Sequence, residues 1–282
     1  MHHQSPITII KASGTKEPFS EEKVIRSLTG SGLSPDTASQ TVDYLKRHLK
    51  ADMTTEAIHG QVSSYLHKNA PVENYFNYGL KRAVMDMGPS GYPFEILVSD
   101  LLRLNNFKTE VGVVTQGKCV THEIDVIAEK EDKKFFIECK YHNTSGYKTD
   151  VQVALYTYAR FLDINNIQRQ NNPQTNNFSW LITNTKVTSE VIDYCRCVDL
   201  SVTTWTQPGG GLHDLIIASK LYPVTLLHEI SKNKISIILN KGLVTCARLK
   251  TAILNDQLNE IFDQKERSSI LNNINTIFKE NE

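Results

Sequence analysis

The chain has 282 residues, 40% of them hydrophobic and 22% charged, which is material for two domains of ordinary size and a small third one. Its 31 basic and 31 acidic residues cancel, so net charge does not point to a nucleic-acid partner, and any such binding needs a local basic groove. Five cysteines without a C-x-x-C pair, with Cys195 and Cys197 too close for a zinc knuckle, read as reduced thiols of a cytoplasmic protein.

No apolar run approaches membrane-spanning length, and no signal-peptide core precedes the first motif. His2 and His3 read as a leader rather than as metal ligands. The segment ITIIKASGTKEPF alternates and turns at Ser13 and Gly14, which predicts a β-hairpin. Ser20 is placed to cap a first helix, with Glu21 and Glu22 in its opening turn and Phe19 stapled to Val24. A second helix is expected from Ser34-Pro35, with Val42, Leu45 and Leu49 on one face. A third starts near Thr54, turning Ile58, Val62 and Leu66 inward, and a fourth covers 70–87. It ends at GPSG, where a domain boundary is placed, giving a first domain over 1–88.

The second domain, 91–206, is expected to open with a helix over 95–104. Strands follow over 108–115, 122–128 and 134–140, then a helix over 151–162. NNIQRQNNPQTNNF is polar and Asn-heavy and reads as an exposed loop. SWLITNT is a strand, 189–197 a helix and LSVTTW a last strand. The order αβββαβαβ calls for a mixed α/β sheet with helices on both faces. Beyond QPGGG, 207–282 reads as a helical region, with apolar residues at helical spacing from Lys250 onward that serve either a core or a dimer surface.

The stretch THEIDVIAEKEDKKFFIECK carries acids where strands usually bury apolar groups. Residues two apart share a strand face, so Glu138 and Lys140 point the same way, and a hairpin at EKED brings Asp125 beside Glu138. Adjacent carboxylates repel unless a cation lies between them or one is protonated. Oxygen-only ligands suit Mg2+ (or Mn2+), and a neighbouring lysine can hold or deprotonate the water that attacks phosphorus. The bland alternative is a pair of edge-strand acids facing water with Lys140 as a neutralising neighbour. His122 and Glu123 flank Asp125 with open roles, and a histidine at such a place is more often a hydrogen-bonded structural residue.

The run GYPFEILVSDLLRLNNF, HEIDVIA, FFIECK and VQVALYTYARFLDI resembles the Mrr-like branch of the PD-(D/E)XK restriction-endonuclease superfamily over about Gly91 to Trp205. The resemblance implies a restriction-endonuclease-like mixed sheet and a metal-dependent endonuclease that cuts DNA. Its catalytic residues would be Glu95, Asp125, Glu138, Lys140 and Gln152, with Asp125 and Glu138 binding metal. Duplex cleavage by one active site per chain would favour a homodimer or higher homo-oligomer.

The segments IIKASGTKEPFSEEKVIRSL, MTTEAIH and APVENYFNYGLKRAV resemble the ATP-cone, a nucleotide-sensing module. That resemblance implies a β-hairpin with four helices that binds ATP or dATP, with Ile9, Lys11, Glu17, Ser20, Lys23 and Thr55 at the nucleotide. Lys11 and Lys23 are cationic partners for phosphate. The family's usual Lys-Arg pair in the hairpin is Lys11-Ala12 here, so one phosphate clamp is missing. NKGLVTCARLK is faintly similar to helix–hairpin–helix DNA-binding units. Together these readings lead to a Mg-dependent endodeoxyribonuclease tuned by an adenine nucleotide. The alternative is a non-catalytic, nucleotide-responsive DNA-binding regulator.

Overall fold

The computed structural model describes residues 7–11 and 13–278, so His2, His3 and Ala12 lie outside the described residues. The chain divides into two compact units, Met1–Leu80 with Asn275–Glu282, and Lys81–Ile274.

In the first unit the expected hairpin forms from β1 (Thr8–Ile10) and β2 (Lys16–Pro18), with Ile9 opposite Glu17. Ser20 caps α1 (Glu21–Thr29) by accepting from the Lys23 N–H, and Ser34 caps α2 (Pro35–His48). A further strand, β3 (Met53–Thr54), lies parallel to β1 and makes the sheet three-stranded. Two residues are too few to show alternation, which is why the sequence revealed only a hairpin. Thr54 caps α3 (Thr55–Asn69), and α4 (Val72–Met85) follows. Leu28, Leu45, Val62, Leu66 and Leu80 are fully buried. Leu49, expected on the inner face of α2, is instead its half-buried C-cap.

The second unit is a mixed α/β structure. It runs α5 (Tyr92–Leu104), β4 (Lys108–Gln116), β5 (Thr121–Lys130), β6 (Lys133–Lys140), β7 (Lys148–Thr149), α6 (Val151–Asn171), β8 (Asn176–Thr183), β9 (Lys186–Val187), α7 (Ser189–Val198) and β10 (Ser201–Thr203). Five strands form one sheet in the order β10-β8-β6-β5-β4, antiparallel from β4 to β6 and parallel from β6 to β10. β7 and β9 form a separate small parallel pair. Helix α6 corrects the Asn-rich loop expectation, because it runs through Asn171, and Asn176 already belongs to β8. The reason is one apolar anchor. Ile164 is fully buried with Ile124, Ile127 and Phe136, and that contact outweighs the local polar composition. The last expected strand shortens to three residues.

Four α-helices, with a 3-10 turn at Val224–Leu226 after the first, complete the described chain: α8 (Leu212–Ser219), α9 (Lys232–Asn240), α10 (Cys246–Leu254) and α11 (Gln264–Phe278). The helical spacing read from Lys250 onward is interrupted after Leu254, where Asp256 adopts φ 56°, and resumes at Gln264. Ile270 and Ile274 are buried, so this part of the stripe faces the core of the second unit.

The turn between β4 and β5 is clasped to α6. Asp163 accepts from the Cys119 and Val120 N–H groups and pairs with His122 Nε2 at 2.8 Å. His122 is thus a hydrogen-bonded structural residue. A Cβ on Gly117 would collide with the Asp163 carboxylate and stand 2.7 Å from the Val120 carbonyl oxygen. Gly117→Ala is expected to destabilise the fold by about 1–3 kcal/mol, read by urea denaturation. A midpoint equal to wild type would show that the clasp yields freely.

Candidate active site and nucleotide site

The antiparallel ladder between β5 and β6 ends at the pair Val126 and Ile137. The next pair in register would be Asp125 and Glu138. There the strands part, while β6 continues alone along β8 as far as the pair Lys140 and Thr183. Parting leaves a strand N–H without a ladder partner, and the Asp125 carboxylate takes it, accepting from Cys139 N–H at 2.7 Å. On the other side, Asp125 lies opposite Gly112, between the pairs Val111–Val126 and Val113–Ile124. Gly112 has φ +65°, a conformation that favours glycine, and no heavy atom lies within 4 Å of where its Cβ would sit. Local backbone geometry therefore frees Asp125 from the sheet on both sides.

Strand alternation puts Glu138 and Lys140 on the face covered by α6, while Cys139 is buried on the other. Glu138 Oε1 accepts from Tyr156 Oη at 2.6 Å, and its Oε2 pairs with Arg160 Nη1 at 2.6 Å. Arg160 also donates to the Glu123 carbonyl oxygen at 3.3 Å and lies over the Tyr156 ring. Gln152, Tyr156 and Arg160 recur every fourth residue of α6 and so share a helix face.

Electrostatics tie the acids together. Burial pushes the Glu95 carboxyl up to about 7, and the charges of Asp125, Glu123 and Glu138 add to the shift. Burial likewise raises Asp125 to about 6, helped by the Glu138 charge and opposed by the Cys139 N–H and Arg160. The structure thus brings Glu95, Asp125 and Glu138 within mutual influence, and Glu123 joins them. Lys140 is half-buried, and among the described residues no acid pairs with it. Gln152 stays exposed, its backbone N–H donating to the Asp150 cap at 3.0 Å, and among the described residues its side chain forms no hydrogen bond to Glu95, Asp125 or Glu138.

Tyr156 and Arg160 were missed in the sequence, although their spacing from Gln152 on a helix was a signal that could have found them. Among the described residues no three His, Cys, Asp or Glu side chains form a ready-made metal cage. In donor chemistry the residues do fit a hard divalent ion. Asp125 and Glu138 offer only oxygen, and the proton affinity of Asp125 and Glu95 is raised by burial first and by the neighbouring carboxylates second.

In the first unit, Glu17 on β2 gathers two of the expected phosphate-binding lysines, with Lys11 Nζ at 2.7 Å and Lys23 Nζ at 3.1 Å. Those lysines hold the Glu17 carboxyl below its ordinary range. Ser20 sits in the cap between them, Ile9 is buried on β1, and Thr55 is the first helical residue after β3. Since Ile9 pairs with Met53 in the parallel ladder, the sheet carries Thr55 toward the hairpin residues.

Residues 7–85 match the family model of the ATP cone domain. An uncharacterized protein of Archaeoglobus fulgidus is 38% identical over 155 residues, covering 54% of this chain and 83% of its own length. A crystal structure of a protein of unknown function, AF1548, is 32% identical and superposes with a TM-score of 0.57, covering 67% of this chain and 98% of that one. Among the described residues no helix is long and apolar enough to cross a membrane.

Proposed function

The chain belongs to the family of that Archaeoglobus fulgidus protein and carries an ATP-cone domain at its N-terminus. On that premise we propose that it is a Mg2+-dependent endodeoxyribonuclease of the restriction-endonuclease type, regulated by ATP or dATP and acting as a homodimer. The observation that carries the reading is the half-buried acid cluster of Glu95, Asp125 and Glu138, with Lys140 two residues along the same strand face. Clustered carboxylates with raised proton affinity are costly to a fold, and such groups concentrate at functional sites.

Asp125 and Glu138 would hold the ion, which supplies Lewis acidity to a phosphoryl oxygen when bound. Lys140 orients the attacking water. Glu95 steadies that water through its own carboxyl, and Arg160 with Tyr156 holds the Glu138 carboxylate in place. Gln152, exposed at the start of α6, meets the substrate backbone. In the ATP-cone, Lys11 and Lys23 exchange their shared Glu17 for phosphate oxygens.

A second reading is a nucleotide-responsive DNA-binding regulator without catalysis. It is favoured by one observation, that both oxygens of Glu138 are already satisfied by Tyr156 and Arg160. Plasmid nicking in Mg2+, with ATP titrated and molar mass followed by light scattering, separates the two. The expected result is nicking that disappears in EDTA and changes with ATP. Plasmid left intact at every nucleotide concentration would remove the nuclease reading. Independently, Lys11→Ala with Lys23→Ala is expected to weaken ATP binding about 10-fold or more by titration calorimetry, because two charge-assisted contacts are lost. Unchanged affinity would place the nucleotide elsewhere.

A further inference from the structure

The small β7–β9 pair sets lysines side by side as a basic rim, without an ion pair among the described residues. β7 and β9 lie parallel with Lys148 and Lys186 as direct partners, and like charges set opposite each other in a sheet are destabilising. Both side chains are exposed, and among the described residues neither forms an ion pair. The Glu190 carboxylate feels the Lys148 charge but makes no bond to it. Lys81, the first residue of the same unit, adds a third cation. Its ammonium is pushed down first by desolvation and then by the Lys186 charge.

The rim is anchored to the end of β8, the parallel neighbour of the strand that carries Glu138 and Lys140. Thr149, next to Lys148, bonds through its hydroxyl to Thr183 at 3.1 Å, and Thr183 is the register partner of Lys140. Thr149 also meets Thr185 and His142 Nε2, and Asn184 brackets His142 by bonding both its N–H and its carbonyl oxygen. Thr149, Thr183, Asn184 and Thr185 are all almost fully buried, so Lys148 and Lys186 stand on a rigid base. Tyr147 lies flat beside the His142 ring, at an interplanar angle of 8°, yet is 63% exposed. A large aromatic ring thus stands parallel to a hydrogen-bonded histidine and open to solvent.

We infer that this rim is a binding track for one nucleic-acid strand, whose phosphates run from Lys140 past Lys148 and Lys186 and whose unstacked base lies on Tyr147. Phosphates relieve the lysine repulsion, and an open aromatic face is a stacking platform that tolerates any base. The inference rests on the nuclease reading for the purpose of the strand, but the binding itself is measured without cleavage.

The test is fluorescence anisotropy of a labelled single-stranded DNA 12-mer with the full chain in EDTA, repeated over a salt series. Lys148→Ala with Lys186→Ala is expected to weaken binding about 10-fold at low salt and to flatten the salt slope by about 1.4, two phosphates' worth. Tyr147→Ala is expected to weaken it about 10-fold with the slope unchanged, and Tyr147→Phe to restore it. Wild-type binding that none of these variants alters, or absent wild-type binding, overturns the track. If wild type nicks plasmid while the variants bind as wild type does, the track fails and the nuclease reading stands. If the variants lose binding and wild type never cuts, the track stands and the nuclease reading fails.

Discussion

Asp125→Ala and Lys140→Ala are each expected to lower Mg2+-dependent nicking by on the order of 10³-fold or more, with circular dichroism unchanged. Asp125 sits where the β5–β6 ladder has parted, so its removal frees one Cys139 N–H and leaves the rest of the sheet paired. Lys140 makes no ion pair among the described residues, so its loss takes away the group that orients the water without unpairing an acid. Two variants that cut as well as wild type would remove the site assignment.

The pH dependence carries opposite signs for activity and for stability. Activity is expected to climb between pH 5 and 8, as Asp125 at about 6 loses the proton that keeps it from binding the ion and Glu95 at about 7 the one that keeps it from accepting from the water. Both folded-state values lie above the roughly 4 of an unfolded carboxylate. Between about pH 4 and 7 the folded state therefore holds more protons than the unfolded one, and stability falls as pH rises. Asp125→Asn removes one of the two groups. It should melt higher than wild type at pH 8 in EDTA, and that advantage should vanish at pH 4. An advantage that persists at pH 4 would mean the acid is not strained by its neighbours.

Arg248→Met is expected to cost about 2–4 kcal/mol of stability in chemical denaturation. Arg248 on α10 clasps Asp100 on α5 with Nε to Oδ2 and Nη2 to Oδ1, both at 2.5 Å. Asp100 is nearly buried, and removing the guanidinium strands its charge beside only Arg103, at 3.5 Å. The double variant Asp100→Leu with Arg248→Met should recover much of the loss, since well-packed apolar groups replace such pairs with little penalty. A single variant as stable as wild type would show that water already reaches the aspartate. The pair also joins the C-terminal helices to α5, the helix that bears Glu95.

The ATP-cone was legible in linear order because its signals are local. Ser20 and Ser34 cap helices by reaching three residues along the chain, and the hairpin turn closes within a few residues. The strands bearing Asp125 and Glu138 were legible for the same reason, through alternation and a short turn. What the amino-acid order did not reveal depends on contacts between distant segments. Ile164 turned a polar, Asn-rich stretch into helix by meeting β5 and β6. The parting of the ladder at Asp125 and the seating of Tyr156 and Arg160 on Glu138 arise only once α6 lies along the sheet. The pairing of Lys148 with Lys186 joins residues 38 positions apart. Short-range patterning specifies which elements form, because capping and alternation are near-neighbour effects. Burial and charge at the site follow from how those elements pack, and no single segment contains that information.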